Sequence, residues 1–596
     1  MDIIGLDVLQ TEELPGLNGI MAPNEEFIGN IISIADDNAV VETNVGRQII
    51  SLNSLYLKKT NYNIRSFLES KFGEEKTDGI INRIKFEEQK RLDPEKEYNE
   101  IISIAKLIFT VTQNNITQPV LFQNRDGFCF SVKNQTFNTD NSFQLNQPNF
   151  IFDPAATKVE SKNPDTGLRN YGPYDSSIFD PKSPKILGIC HKNDRGSFSS
   201  FLHNFINGLP KSEWFKEGFK KKYDFHDIKF EIRQVSDYNM REFSSIIDSL
   251  EDNKPDIVII EIPESFKKLK PETNPYYKIK AKLLTLEIPI QFVLDWKMKQ
   301  SGDALLNAIG LQIYAKLGGT PWVLPSTRSV DRELIIGIGH SIIRNNNFKG
   351  AEQNRVVGIT TFFSSDGQYL LSNKAKDVQF DDYFDELLKN LKEAINSLQE
   401  THAWKDNDTI RLIFHIFKPI KNIEHDVVQT LIQDFNNYRI QYAFVTISKR
   451  HPFKLYDITQ KGRTNNKNEN IGKFVPYRAS NVILDSSSCL VQLLGVKEIK
   501  TSKHGSSDPL LIRIRKPLDS QGNEIESEEL FTDLQYIVQQ VFSFTYLSWR
   551  GFLPSEHPAT MLYSNLFANL LGKLRLIEGW HPNVLNFKLK RKKWFL

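Results

Sequence analysis

The sequence predicts a multidomain α/β protein, and three observations carry that expectation. The chain has 596 residues, too many for one hydrophobic core when domains commonly run to about 100 to 200 residues. Hydrophobic residues make up 40% of it and charged residues 25%, the balance of a globular chain rather than a disordered one. From Pro184 onward strand-like runs alternate with helical ones, the pattern of a parallel sheet covered by helices.

Residues 24 to 60 alternate apolar and polar in short runs ("FIGNIISI", "AVVETNVGRQIISL"), which predicts a small antiparallel sheet. From 63 to 113 the period becomes helical ("NIRSFLESKFG", "EYNEIISIAKLIFTV"), and strand-like "PVLFQ" and "GFCFSV" follow. The stretch 140 to 185, rich in Asn, Pro, Asp and Gly, reads as an ordered connector. A first alternating block holds "KILGIC", "SFSSFLHNFINGL", "IKFEIRQV", "NMREFSSIIDSLE", "DIVIIEI" and a helix from about Tyr276. A second runs from "ELIIGIGHSII" through "RVVGITTFFS", "FDELLKNLKEAINSLQE", "IRLIFHIF" and "DVVQTLIQDFNNY" to "YAFVTISK" and predicts a mixed sheet. The polar "QKGRTNNKNENIG" (460 to 472) reads as a mobile loop. The expected units are 1–110, 111–183, 184–328 and 329–596.

The net charge is only +2, but it is unevenly spread. Residues 1 to 50 hold nine Asp or Glu and one base, Arg47, whereas Lys588, Lys590, Arg591, Lys592 and Lys593 crowd the other end. An anionic partner is therefore expected at the second half. Cys129, Cys190 and Cys489 are too far apart for a zinc site or disulfide framework. The acidic start lacks a signal-peptide pattern, and no run approaches about 18 apolar residues. A cytoplasmic protein without a membrane segment is expected.

Chemistry concentrates between 276 and 322. On a helix opening near Tyr276, Lys280 projects beside Tyr276 because residues four apart share a face. Gln291 follows, and a second helix from about Ala304 ends at Lys316, with Gly318 and Gly319 as its stop. A lysine, an amide and a phenol converging near a helix start suit a terminal phosphate, although a single lysine near a helix end commonly only complements the dipole. Further along, "ELIIGIGHSIIR" ends a strand with Gly339 and His340, where several hydrolase folds place a metal-binding carboxylate. Asp377, Asp381, Asp382 and Asp385 read either as relocated acids or as an acidic helix start. His340 and His415 allow a two-histidine metal site, against ordinary hydrogen-bonded histidines. Lys449, Arg450, His451 and Lys454, and separately Lys503 and His504, are candidates for phosphate contacts or solvated basic loops.

The order Tyr276, Lys280, Gln291 and Lys316, with "IPIQ" and "AKLGGTPW" in place, resembles the 5′-phosphate pocket of the MID domain of Argonaute proteins. "GLRNYGPYD" and "FINGLP" resemble the family's lead into that domain. The resemblance implies a Rossmann-like MID domain followed by a ribonuclease H-like PIWI domain, after an N-terminal β-rich and helical linker-type region. It implies a magnesium ion held at the guide phosphate by Gln291 and the carboxylate of Leu596.

Active members carry a tetrad of Asp, Glu, Asp and Asp or His around two metal ions. Here Gly339, Ile416 and Asn565 match three of those positions, and the glutamate is not placed. The resemblance thus implies a prokaryotic-type Argonaute without slicer activity, its PAZ domain absent or reduced. The implied partners are a short guide RNA or DNA, a complementary target DNA or RNA, and a sirtuin-like, TIR or nuclease effector in defence, with an RNA guide and DNA target preferred. A nuclease with rearranged carboxylates and a non-guided nucleotide or polyanion binder are the alternatives.

Overall fold

The computed structural model describes residues 2–6, 29–35, 38–43, 46–51, 55–57, 61–91, 93–113, 116–123, 129–131, 141–326, 329–342, 355–374, 377–378, 383–417, 423–465, 468–499, 505–517, 524–580, 589 and 592–596. At the front, β1 (Asp2–Leu6), β2 (Gly29–Ala35), β3 (Asn38–Thr43), β4 (Gly46–Ser51) and β5 (Leu55–Leu57) form one sheet in the order β4-β3-β2-β1-β5. All its pairings are antiparallel, as the alternating sequence requires. Helices α1 (Asn61–Phe72), α2 (Glu74–Arg91) and α3 (Pro94–Phe109) follow, then two hairpins, β6 (Thr110–Gln113) with β7 (Ile116–Pro119) and β8 (Leu121–Gln123) with β9 (Cys129–Ser131). Asp93 caps α3 by accepting from Glu95 N at 3.0 Å, ahead of Pro94.

The connector from 141 is pinned by side-chain amides that imitate a neighbouring strand. Asn481 Oδ1 accepts from Phe143 N and its Nδ2 donates to Phe143 O, each at 2.8 Å. Gln539 makes the same pair of bonds to Asn146, each at 2.9 Å. Strands β10 (Phe150–Ile151) and β11 (Val159–Glu160) and helix α4 (Pro164–Tyr171) complete this stretch. Asp165 of α4 is buried beside Lys222, which also donates to Asn307 Oδ1 at 2.8 Å. Burial pushes Lys222 down to about 8 although Asp165 opposes it.

The first α/β unit contains β12 (Lys185–His191), α5 (Arg195–Asn207), α6 (Gly218–Lys222), β13 (Lys229–Val235), α7 (Met240–Asp248), β14 (Ile257–Ile262), α8 (Pro275–Thr285), β15 (Ile290–Leu294), α9 (Asp295–Lys299) and α10 (Asp303–Leu317). Its strands are all parallel, in the order β13-β12-β14-β15. Every residue of β14 is buried, which is what a strand covered on both faces requires.

The second unit is a nine-stranded sheet built from β16 (Arg332–Ile342), β17 (Arg355–Ser364), β18 (Tyr369–Lys374), β19 (Asp377–Val378), β20 (Thr409–Ile416), β21 (Arg439–Ser448), β24 (Asn481–Asp485), β25 (Ser488–Val491) and β26 (Leu510–Arg515). Strands β16, β20 and β21 are parallel at its centre, and the flanking pairings are antiparallel. Leu334, Ile336 and Ile338 share one face with Leu412, Phe414 and Ile416, packed with α11 (Tyr383–His402) and α12 (Ile423–Asp434). Ile335 and Ile413 belong to the opposite core, with α13 (Leu534–Phe544) and α14 (Ala559–Leu574).

The polar stretch 460 to 472 differs from the mobile loop its composition suggests. Within it, β22 (Arg463–Thr464) pairs with β23 (Asn470–Ile471), because Ile471 is buried in a small cluster with Val475, Val496 and Ile499. Lys473 of the same loop pairs with Glu95 of α3 at 2.6 Å, and Tyr98 sets its ring against Tyr456 and Phe474. No helix among the described residues is long and apolar enough to cross a membrane.

Candidate anion site and a closed strand end

Helix α8 starts where Asn274 accepts from Tyr276 N at 2.9 Å and Pro275 takes the first turn. Asn274 is itself held, its Nδ2 donating to Phe266 O at 2.7 Å. Tyr276 packs on Phe292 with ring centroids 4.3 Å apart, and one turn later Lys280 lies with its Nζ 5.8 Å from the Tyr276 ring centre. On β15 comes Gln291. From the last turn of α10, which ends on left-handed Gly318, Lys316 Nζ donates to Ile290 O at 3.0 Å and Gln291 Oε1 at 2.7 Å. Tyr276, Lys280, Gln291, Lys316 and Leu596 all line one cavity of about 730 Å³.

The electrostatics of this cavity are one-sided. Lys280 is 3% exposed, and among the described residues no hydrogen bond or ion pair engages its Nζ. Burial alone pushes it down to about 8. Burial, then the charges of Lys280 and Arg550, push Lys316 well below the usual lysine range. Arg550 and Lys573 add positive charge to the wall, and no Asp or Glu is among the described lining residues. Charged groups so buried and so poorly neutralised are costly unless an anion joins them.

Sequence reasoning missed Arg550 and Lys573, which no local pattern announces, and Asn274, which its place before Pro275 at a helix start could have revealed. Lys593, from the basic cluster near residue 590, is 1% exposed, donates to Gly319 O at 3.1 Å and faces the Trp549 ring. Trp594 and Phe595 are buried against Phe567 of α14, which brings Leu596 to the cavity.

The end of β16 is closed. A Cβ built on Gly339 would stand 2.6 Å from the Ser564 backbone, and one on Gly337 would stand 2.3 Å from Thr560 O. Helix α14 therefore rests on a glycine pair that leaves no room for side chains. Gly337 is in register with His415, and Ile338 with Ile416. Ile416 thus points to the face away from Gly339, into the core with α11 and α12. This corrects the matching of Ile416 with Gly339 as one former site, since strand residues alternate between faces. His415 and Phe417 occupy the α14 side instead.

His415 is fully buried, with Nδ1 2.8 Å from Thr560 Oγ1, and burial pushes it down to about 3, so it is neutral. Asn565 is half-buried on α14, next to the Ser564 that meets Gly339. Among the described residues no group of three or more His, Cys, Asp or Glu could hold a metal ion. Asp385 is exposed in the first turn of α11. Asp381 and Asp382, and the side chains of His340 and Asp377, lie outside the described residues.

The basic loop after β21 is already engaged. Lys449 pairs with Glu556, His451 Nε2 lies 2.8 Å from Pro509 O, and Lys454 pairs with Asp508 and with Glu97. Arg450 is exposed with its guanidinium 5.7 Å from the Phe417 ring centre, near the closed strand end. Lys503 and His504 lie outside the described residues.

A family model for the Piwi domain matches residues 268–575, a span that holds Tyr276, Lys280, Gln291, Lys316, Arg550 and Lys573. The chain is 27% identical over 616 residues to a protein argonaute of Cereibacter sphaeroides, covering all of this chain and 75% of that one. It is 24% identical over 442 residues to a Piwi protein of Archaeoglobus fulgidus, covering 72% of this chain and 93% of that one. Its fold is similar to that of Clostridium butyricum Argonaute bound to a guide DNA and a 19-mer target DNA, with a TM-score of 0.59, 16% identity, and coverage of 90% of this chain and 64% of that one. It is also similar to A. aeolicus Argonaute, with a TM-score of 0.52, 17% identity, and coverage of 89% and 63%. The chain thus spans just under two thirds of the length of these solved chains.

Proposed function

Because the chain belongs to the Argonaute family of Piwi-domain proteins, we propose that its cationic cavity holds the 5′-phosphate of a short guide strand, whose bases then select a complementary strand. The observation that carries this reading is Lys280, a buried ammonium without a hydrogen-bond partner among the described residues, in a cavity whose described lining has cations but no carboxylate side chain. Lys280 and Lys316 supply charge, Gln291 an amide, and Tyr276 a phenol and a ring for the first nucleotide. Selectivity for sequence then resides in base pairing, with the protein gripping backbone.

A magnesium ion fits this site only together with its anion. Magnesium takes few protein oxygens and completes its shell with phosphates and water. Gln291 Oε1 keeps a lone pair beyond the bond from Lys316 and would hold the ion, with Leu596 on the same cavity wall. When bound, the ion would offset part of the phosphate's negative charge. Lys280, Lys316, Arg550 and Lys573 oppose its entry alone.

The reading extends to a protein that binds without cutting, with RNA as guide, invading DNA as target, and a separate effector that acts on detection in prokaryotic defence. The glycine at 339 under α14 supports the loss of cleavage, because a carboxylate there has no space. The test compares binding of RNAs that differ only in a 5′-phosphate or 5′-hydroxyl, then incubates the loaded protein with a matched target and magnesium or manganese. Preference for the phosphate of about 10- to 100-fold, the range of one or two charged hydrogen bonds, is expected, with the target left intact. Equal binding of the two ends, or a cut target, would refute it.

A further inference from the structure

A second cavity, of about 490 Å³, lies between the connector at 144–148, Leu324 and Pro325, and helix α13. It shares no lining residue with the cationic cavity, and its chemistry is opposite. Six primary amides line it, Gln144, Asn146, Gln147, Gln535, Gln539 and Gln540, and no lysine, arginine or histidine is among its described lining residues. Its one charge, Asp533, is committed to capping α13, accepting from Tyr536 N at 2.9 Å. A phosphate brought here would meet no cation among these residues, which favours an uncharged ligand.

A primary amide offers a donor and an acceptor side by side. The cleft already contains one such recognition, the two bonds between Gln539 and the Asn146 backbone. Gln540, one residue on, is 6% exposed, and its Nε2 donates to Glu333 Oε1 at 3.0 Å, which fixes that part of the wall. The hydroxyls of Ser365 and Ser543 add adaptable donors, and Tyr536 and Phe544 supply aromatic wall.

We propose that this cavity binds an uncharged nucleobase, presented as a free base or nucleoside. The edge of a base sets an N–H beside an acceptor, the complement of a primary amide, and its flat face suits an aromatic wall. The volume lies within the roughly 300 to 1,000 Å³ of small-molecule sites. A nucleotide within a strand is disfavoured because its flanking phosphates would find no cation in the lining.

The test is calorimetric titration of the full chain with adenosine, guanosine, cytidine and uridine, each with the cationic cavity saturated by a 5′-phosphorylated RNA. One nucleoside at least is expected to bind one-to-one, and its 5′-monophosphate about tenfold more weakly or worse. Gln144→Ala, at an exposed position, should weaken it about fivefold by removing one hydrogen bond. Ser543→Trp should fill the cavity and abolish it, and RNA loading by both variants should be unchanged. The proposal is overturned if no nucleoside binds, if the monophosphate binds as well, or if Gln144→Ala leaves the affinity intact. Nucleoside binding that persists in a Ser543→Trp protein which still loads RNA also overturns it.

Discussion

Lys316 Nζ donates to Gln291 Oε1 at 2.7 Å, and Gln291 Nε2 donates to Phe292 O at 3.1 Å, so the amide is fixed before any ligand arrives. Pre-set donors lose little freedom on binding. What remains uncommitted beside this fixed amide is the charge of Lys280.

Lys280→Met keeps the length of the stem and removes that charge. The unliganded variant should melt at a higher temperature, because an unneutralised buried cation has gone. Its affinity for 5′-phosphorylated RNA should fall about 10- to 100-fold, and for 5′-hydroxyl RNA hardly at all. Parallel melting curves and filter binding decide it; an equal loss for both ends would show that Lys280 does not meet the phosphate.

Affinity should depend on pH through the same residue. Burial holds Lys280 at about 8 instead of 10.5 in the folded chain. Between those values the unfolded chain keeps a proton that the folded chain has lost, so unfolding free energy rises with pH across that window. Phosphate binding runs the other way: it needs the ammonium, and should weaken by up to about tenfold per pH unit above 8 for each lysine involved. Lys222 and Lys593, also lowered to about 8, add to the stability slope, so the binding slope is the selective measurement. A binding slope unchanged in Lys280→Met would assign the titration elsewhere.

Placing an acid at the strand end should fail. Gly339→Asp places atoms within 2.6 Å of the Ser564 backbone, an overpacking that typically costs about 1 to 3 kcal/mol. Urea unfolding should show a lower midpoint, and a matched target should stay uncut in magnesium or manganese. Cleavage by this variant would mean that α14 yields and that the remaining ligands lie nearby.

The N-terminal region should depend on a ring more than on its ion pairs. Tyr98 meets Tyr456 and Phe474 edge-on at 5.3 and 5.6 Å, whereas Glu95 pairs with a partly exposed Lys473. Aromatic pairs add about 0.5 to 1.5 kcal/mol beyond their buried area, while exposed ion pairs give less than about 1 kcal/mol. Limited proteolysis should therefore release the front of the chain from Tyr98→Ala sooner than from Glu95→Ala.

The sequence was most legible where one local rule governs. "DIVIIEI" is apolar on both strand faces because helices cover both, and the spacing of Tyr276 from Lys280 puts them on one helical face. Gln291 and Lys316 reach the same cavity through the order of β15 and α10, which spacing alone does not provide; resemblance to a family supplied it. Ile416 was misplaced because the register between β16 and β20 is a tertiary property, and a shift of one residue reverses every side chain. Arg550 and Lys573 arrive from far downstream with no local signature. In the polar loop, the single buried Ile471 outweighs the composition around it.

Helix α14 touches both ends of this story. Thr560 and Ser564 sit on the glycines of β16, and further along the same rod Leu566, Asn569 and Lys573 wall the anion cavity. A side chain built onto Gly339 would thus press on the same helix that walls the cationic cavity. The strand end and the cavity wall share one rigid rod, so a change at either is felt at the other.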